Sequence, residues 1–385
     1  MTFTIKNELR IRCFLAGLLM LTVLAACNQV NRDAEVASYD ADNFKIFKGV
    51  NLAHWLSQNF HTEPGVWDYI TRADIQYLAE LGFDHVRLPI DEKNMWDEDG
   101  NRIPETFEAM HNCIAWCMEH GMRVVVDLHI IRSHHFIADD NPLWTDPKEQ
   151  EKFVALWLDL SSALHGYPLS IVAYELLNEP VAEDHHDWNA LVNTTISALR
   201  KLEPERTIVV GSNSWQKPET FPYLKVPEGD KNIILSFHLY DPFLLTHYKA
   251  HWTFLRDYTG PVRYPGELIN REEFNSLSQE DQILVEQYLK VYNKDSLDRL
   301  LQIPLQVSRE TGLPLYCGEF GAIGLAPRPD RLAWYRDVVS LFHQYGIAHA
   351  NWSYKDKDFF GLQTLDGVVD DDLVRVILNN DESHY

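Results

Sequence analysis

Two glutamates stand where apolar runs stop. Glu179 closes Leu176-Leu177-Asn178-Glu179-Pro180, and Glu319 lies within Leu315-Tyr316-Cys317-Gly318-Glu319-Phe320-Gly321. A carboxylate at the end of a buried run is costly to hold unless it is paired or used. Two of them facing one cavity raise each other's cost of ionisation, so that one keeps its proton while the other stays charged. That division of labour suits cleavage of a glycosidic bond with retention, which needs one acid and one nucleophile about 5 to 5.5 Å apart. The pair is distant along the chain, so the fold must bring it together.

The chain alternates short β-branched or apolar runs with stretches of helical period, the pattern of repeated βα units around a parallel sheet. Strands are predicted at 46–52, 85–88, 123–128, 171–177, 207–210, 233–239, 315–318 and 347–352, and helices at 72–81, 107–120, 148–164, 188–202, 296–311, 330–345 and 366–378. Eight strands with intervening helices give the fold class α/β, a (β/α)8 TIM barrel, in which both glutamates fall at the strand ends where such barrels build their sites. The helix after the fifth strand is poorly marked. No Pro/Gly/Ser-rich linker or internal repeat divides the chain, so residues 44–385 are read as one domain with an enlarged loop, 241–293, after strand six. That loop follows a strand, and its Phe243, Tyr248, Trp252 and Phe254 are expected to wall a cleft.

Seven short motifs then fall at the ends of these strands in order. They are Gly49-Val50-Asn51, His85-Val86-Arg87-Leu88-Pro89, Asp127-Leu128-His129, Asn178-Glu179-Pro180, Phe237-His238-Leu239-Tyr240, Gly318-Glu319-Phe320-Gly321 and Asn351-Trp352-Ser353. With them the chain resembles the family 5 glycoside hydrolases, the retaining cellulase family, over residues 45–360. The resemblance implies that Glu179 is the acid/base and Glu319 the nucleophile of a β-1,4-glucanase. Beside it, Arg87 is expected to aim Glu319 and hold its pKa low, and Tyr240 to donate to the same carboxylate. Asn178 would bond the sugar 2-hydroxyl, His129 and His238 would hold the carboxylates and substrate, and Trp352 would floor the −1 sugar. Asn51, His134, Trp55, Trp215 and Trp252 complete the expected substrate-binding set. One departure is local: Ile130-Ile131-Arg132-Ser133-His134-His135 lacks the Pro-Gly turn that many relatives have there. Other substrates on the same barrel are mannan, xyloglucan, mixed-linkage glucan or short β-glucosides, and a non-catalytic glycan-binding protein is the alternative of another class.

Composition bounds the rest. The 385 residues are 45% hydrophobic and 24% charged, which excludes disorder, collagen and coiled coil. Fifty-seven acidic against 34 basic residues leave −23, a balance that repels nucleic acid. At the N-terminus Lys6, Arg10 and Arg12 precede an uncharged apolar run at 14–26, too short to span a bilayer, which reads as a signal peptide. It ends in Leu24-Ala25-Ala26-Cys27, which resembles a bacterial lipobox, so Cys27 is expected to carry a lipid and 27–43 to serve as a flexible tether to the cell envelope. Cys113 and Cys117 lie four apart on a predicted helix without a second ligand pair, and read as half-buried thiols rather than a zinc site. No cofactor or metal is implied, and a monomer acting on polysaccharide or oligosaccharide is expected.

Overall fold

The computed structural model describes residues 43–59, 69–355, 358–364 and 366–378. The leader at 1–26, Cys27 and nearly all of the tether fall outside the described residues. No helix among those residues is long and apolar enough to cross a membrane.

Eight strands form one closed barrel: β1 (Lys48–Asn51), β2 (His85–Asp91), β3 (Arg123–Ile130), β4 (Val172–Glu175), β5 (Ile208–Gly211), β6 (Ile233–Leu239), β7 (Leu315–Phe320) and β8 (Ala348–Asn351). Each pairs in parallel with its sequence neighbour, and β8 returns to β1. The expected eight-stranded barrel is therefore the observed one.

Alternation along the strands sorts the side chains into layers. Val125, Ala173, Val209, Ile234, Tyr316, Ala348 and Ala350 fill the lower interior as a cluster of their own, against which Phe44 and Ile46 pack. Out-facing neighbours such as Val124, Val126 and Leu128 join the larger core beneath the helices. Two residues further along the same strands, Asp127 follows Val125 and Glu175 follows Ala173, so the interior turns polar toward the C-terminal ends. Register brings the charges level: Asn51 sits opposite Arg87, Asp127 opposite Glu175, and His238 opposite Glu319.

Among the described residues the longer helices that cover the barrel are α1 (Arg72–Leu81), α2 (Pro104–Glu119), α3 (Pro147–Leu164), α4 (His185–Arg200), α5 (Lys294–Thr311), α6 (Arg328–Tyr345) and α7 (Asp371–Ile377). Their starts carry local signals. Thr71 and Asp74 form a capping box on α1, Asn293 and Ser296 another on α5, and Pro opens α2 and α3. Asp184 is the N-cap of α4, its side chain accepting from the His186 amide. After β5 the outer helix is reduced to a 3-10 turn, Pro218–Tyr223, whose internal Pro222 lacks the N–H a longer helix would need.

The segment after β6 is a small subdomain. It carries helices Phe243–Thr246, Arg271–Ser276 and Gln279–Val285 and a two-stranded ribbon, Gly266–Glu267 with Val291–Tyr292. Tyr258, Tyr264, Leu268, Ile269 and Val285 are buried within it, and Tyr264 ties it to α6 through Asp337 Oδ2 at 2.7 Å. Cys113 and Cys117 are free and fully buried on α2 rather than half-buried, a consequence of their apolar stripe facing the barrel.

Candidate active site

Arg87 is the hub of the polar layer. It is fully buried, and all five of its N–H donors are engaged. Nε and Nη2 grip Glu175 at 2.6 and 3.1 Å, Nη2 also reaches Asn178 Oδ1 at 2.9 Å, and Nη1 meets Asn51 Oδ1 at 3.0 Å and Glu319 Oε1 at 2.7 Å. Asp127 Oδ2 lies 3.0 Å from Nη2. One guanidinium thus serves three carboxylates.

Glu319 has a second donor in the Tyr240 hydroxyl, 2.9 Å from Oε2. His238 Nδ1 lies 2.9 Å from Glu179 Oε1 and 3.6 Å from Glu319 Oε2. One ligand-type atom from each of Glu179, His238 and Glu319 falls within 4.8 Å of the others. Two carboxylates carried at the ends of β4 and β7 therefore share one small volume, as a pair flanking one anomeric carbon must.

The loop after β5 holds Glu179 in place. Glu179 has φ 45°, a left-handed conformation uncommon outside glycine, and its N–H donates to Gln216 Oε1 at 2.8 Å. Gln216 in turn reaches Ser236 Oγ at 3.2 Å. It fits only because residue 211 is glycine: a Cβ there would stand 2.2 Å from the Gln216 side chain.

The scan of protein families matches residues 39–358 to the cellulase model, glycosyl hydrolase family 5. The chain belongs to this family. Endoglucanase C of Acetivibrio thermocellus is 33% identical over 316 residues, covering 81% of this chain and 92% of its own. Cellodextrinase A of Ruminococcus flavefaciens is 31% identical over 306 residues, covering 79% and 84%. A hyperthermophilic endo-β-1,4-glucanase solved with substrate shares the fold at TM-score 0.69 and 23% identity, over 87% of this chain and 97% of its own. As a family 5 member the chain is a glycoside hydrolase of the retaining type.

Protonation in this family 5 site is uneven. Burial pushes the Glu179 carboxyl well above the usual carboxylate range, and the Glu319 charge pushes it further. Glu319 is also raised by burial, but the Arg87 charge and the Tyr240 hydrogen bond oppose the rise. The expectation that Arg87 holds Glu319 below its ordinary value is corrected: desolvation exceeds the pull of a guanidinium shared with Asp127 and Glu175. The order within the pair stands, because Arg87 touches Glu319 and not Glu179. Burial also lowers His238 well below its usual value and His129 to about 4, so both rings are neutral near pH 7.

Other expected residues divide between cleft and core. Asn178 gives its oxygen to Arg87, which leaves Nδ2 as a buried donor without a protein partner. His129 bonds Asp127 at 2.7 Å rather than either catalytic-type glutamate, and its ring lies parallel to Trp352 at 5.7 Å. Trp352 is fixed edgewise by Asp358, which accepts from Nε1 at 2.8 Å and meets His54 at 3.1 Å. Trp215 is 40% exposed with Nε1 tied to the Phe136 carbonyl, and Trp252 is 43% exposed beside Phe360 and His247, so both are available at the rim.

Two expected contacts are corrected. Trp55 is 0% exposed in the hydrophobic core. His134 is 1% exposed, accepts from the Val181 amide and packs edge-on against Trp144, so it braces the loop behind Glu179. Of the insertion aromatics, Phe243 stacks on His247 and Phe254, whereas Tyr248 turns inward to bond the Gly260 carbonyl. Sequence reading missed Glu175, Gln216 and Asp358, and gave Asp127 no role. The signal for Glu175 was a charge in an otherwise apolar strand, in step with Ala173.

Proposed function

We propose that this family 5 member is an endo-β-1,4-glucanase in which Glu179 is the acid/base and Glu319 the nucleophile. The observation that carries the assignment is the asymmetric pair: two carboxylates around one His238, with Arg87 and Tyr240 donating to Glu319 and not to Glu179. In the first step a Glu319 oxygen attacks the anomeric carbon while Glu179 gives its proton to the departing glycosidic oxygen. Ester formation removes the Glu319 charge, which lowers the proton affinity of Glu179 and suits it to take a proton from water in the second step. Asn178 Nδ2 is the free donor for the sugar 2-hydroxyl, and Trp352 is the apolar floor of the −1 position.

The substrate reading rests on Endoglucanase C. A second reading, hydrolysis of short β-1,4-gluco-oligosaccharides, is favoured by the similarity to Cellodextrinase A. Reducing-end release from carboxymethylcellulose, barley β-glucan, mannan and xylan, alongside cellodextrins, separates them. A glucanase releases ends from the first two polymers; turnover of oligosaccharides alone favours the second reading, and binding without turnover on every substrate overturns both.

The Cys27 lipobox supports attachment to a bacterial cell envelope by a lipid, with the barrel acting as a monomer on polysaccharide. Cys27→Ser is expected to move the protein from the membrane fraction to the soluble fraction, and persistence in the membrane would refute the anchor.

A further inference from the structure

Glu175 has no part in the acid/base and nucleophile roles, yet it is buried beside them. It takes two of the five Arg87 donors, through Nε and Nη2, in the side-on fork that binds a guanidinium most firmly. Its other contact is the Gln216 side-chain amide at 3.4 Å. Both groups stand at 0% exposure, so neither charge is relieved by water.

The reaction changes this cluster in one place. In the resting site Arg87 faces Glu319, Glu175 and Asp127. When the glycosyl-enzyme forms, the Glu319 oxygen becomes an ester oxygen and its negative charge is lost. The buried guanidinium then keeps only Glu175, gripped through two donors, and Asp127 as counter-charges, and each anion it loses adds to the cost of holding it out of water on the way to the intermediate. We propose that Glu175 is a positioning residue for the nucleophile: by holding Arg87 from its Nε side, it keeps the guanidinium compensated and so frees Glu319 to give up its charge to the sugar. This rests on the reading of Glu319 as nucleophile.

The consequence is a difference between the two chemical steps. Without the Glu175 charge, Arg87 leans harder on Glu319, which becomes a weaker base, a poorer nucleophile and a better leaving group. The first step slows, and the second does not. The groups facing Glu319 are Arg87 from β2, Asp127 and His129 from β3, Glu179 from the end of β4, and His238 and Tyr240 from β6 and its end. Glu175 stands behind Arg87 rather than in that set, so removing its charge acts on Glu319 through the guanidinium and moves the acid limb of kcat/KM to lower pH.

The test uses an aryl β-cellobioside with a strongly activated leaving group, for which breakdown of the intermediate limits kcat. Glu175→Gln is expected to lower kcat/KM by about tenfold or more while kcat changes by less than about threefold, with the acid limb moved to lower pH. Glu175→Asp, which keeps the charge but shortens the reach, is expected to leave the limb where the unmutated enzyme has it. Equal losses in kcat and kcat/KM with an unmoved limb in folded Glu175→Gln would overturn the proposal. If that variant does not fold, a displaced limb in Glu175→Asp overturns it instead. Failure of the unmutated protein to turn over the glycoside would count against the nucleophile reading and not against Glu175.

Discussion

At the residue scale, the site is a problem of sharing one cation among several anions, and hydrogen bonds decide which carboxylate stays charged. Tyr240 favours the ionised form of Glu319 by donating to Oε2, and its own hydroxyl stays protonated because burial and the adjacent Glu319 charge raise its pKa well above the usual value. Tyr240→Phe removes a stabiliser of the anion, so the Glu319 pKa rises further and the acid limb of kcat/KM moves to higher pH. A hydrogen bond to a charged group is worth about 1.5–3 kcal/mol, and the expected loss of rate is about 10–100-fold. The pH–rate profile checks both parts; an unmoved limb would mean that the hydroxyl serves only as packing. Motif glutamates, Arg87, Tyr240, His238 and Asn178 were legible in the sequence because polar residues at the ends of apolar strands have few structural reasons to be there. Glu175 was not, since Tyr174-Glu175-Leu176 reads as strand interior, and nothing local says that an arginine from β2 lies across the barrel. Trp55 and His134 misled for the converse reason. Residue type resembles a sugar contact, while burial is set by elements distant in sequence.

At the element scale, the loop after β5 does for Glu179 what Arg87 does for Glu319. Gln216 anchors the strained Glu179 backbone, and Gly211 leaves room for it. Gly211→Ala places a Cβ into the glutamine and is expected to cost about 1–3 kcal/mol of stability, as overpacking does, and to lower turnover with it. Adding Gln216→Ala relieves the clash, so the double variant is expected to regain melting temperature but not kcat. Recovery of both would show that Gln216 does not position Glu179. The barrel strands and most helices were readable because period-2 and period-3.6 patterns alternate cleanly, and the helix starts carry caps and prolines. The missing fifth helix and the subdomain after β6 were not. Pro218 and Pro222 break the helical pattern, and the insertion folds through scattered tyrosines whose spacing follows no single period.

At the scale of the whole molecule, closing the barrel buries histidines as neutral rings. His349 on β8 is fully buried near Phe47, Phe320 and Phe342, and burial lowers its pKa to about 4. The unfolded chain takes up a proton at this residue below about pH 6.5 and the folded chain does not until about pH 4, so its contribution to stability is lost as pH falls through that window. His349→Leu is expected to gain on the unmutated protein by about 1 kcal/mol per pH unit across it, measured by denaturant unfolding; parallel curves would mean that His349 is protonated in the fold. The same closure joins β4 to β7 chemistry, and the two glutamates matter only if they meet. A 2-deoxy-2-fluoro cellobioside with an activated leaving group, followed by peptide mass spectrometry, tests that meeting most directly. A fluorocellobiosyl adduct is expected on the peptide bearing Glu319; an adduct on any other carboxylate, or initial product of inverted configuration from the unmutated enzyme, would contradict its role as nucleophile.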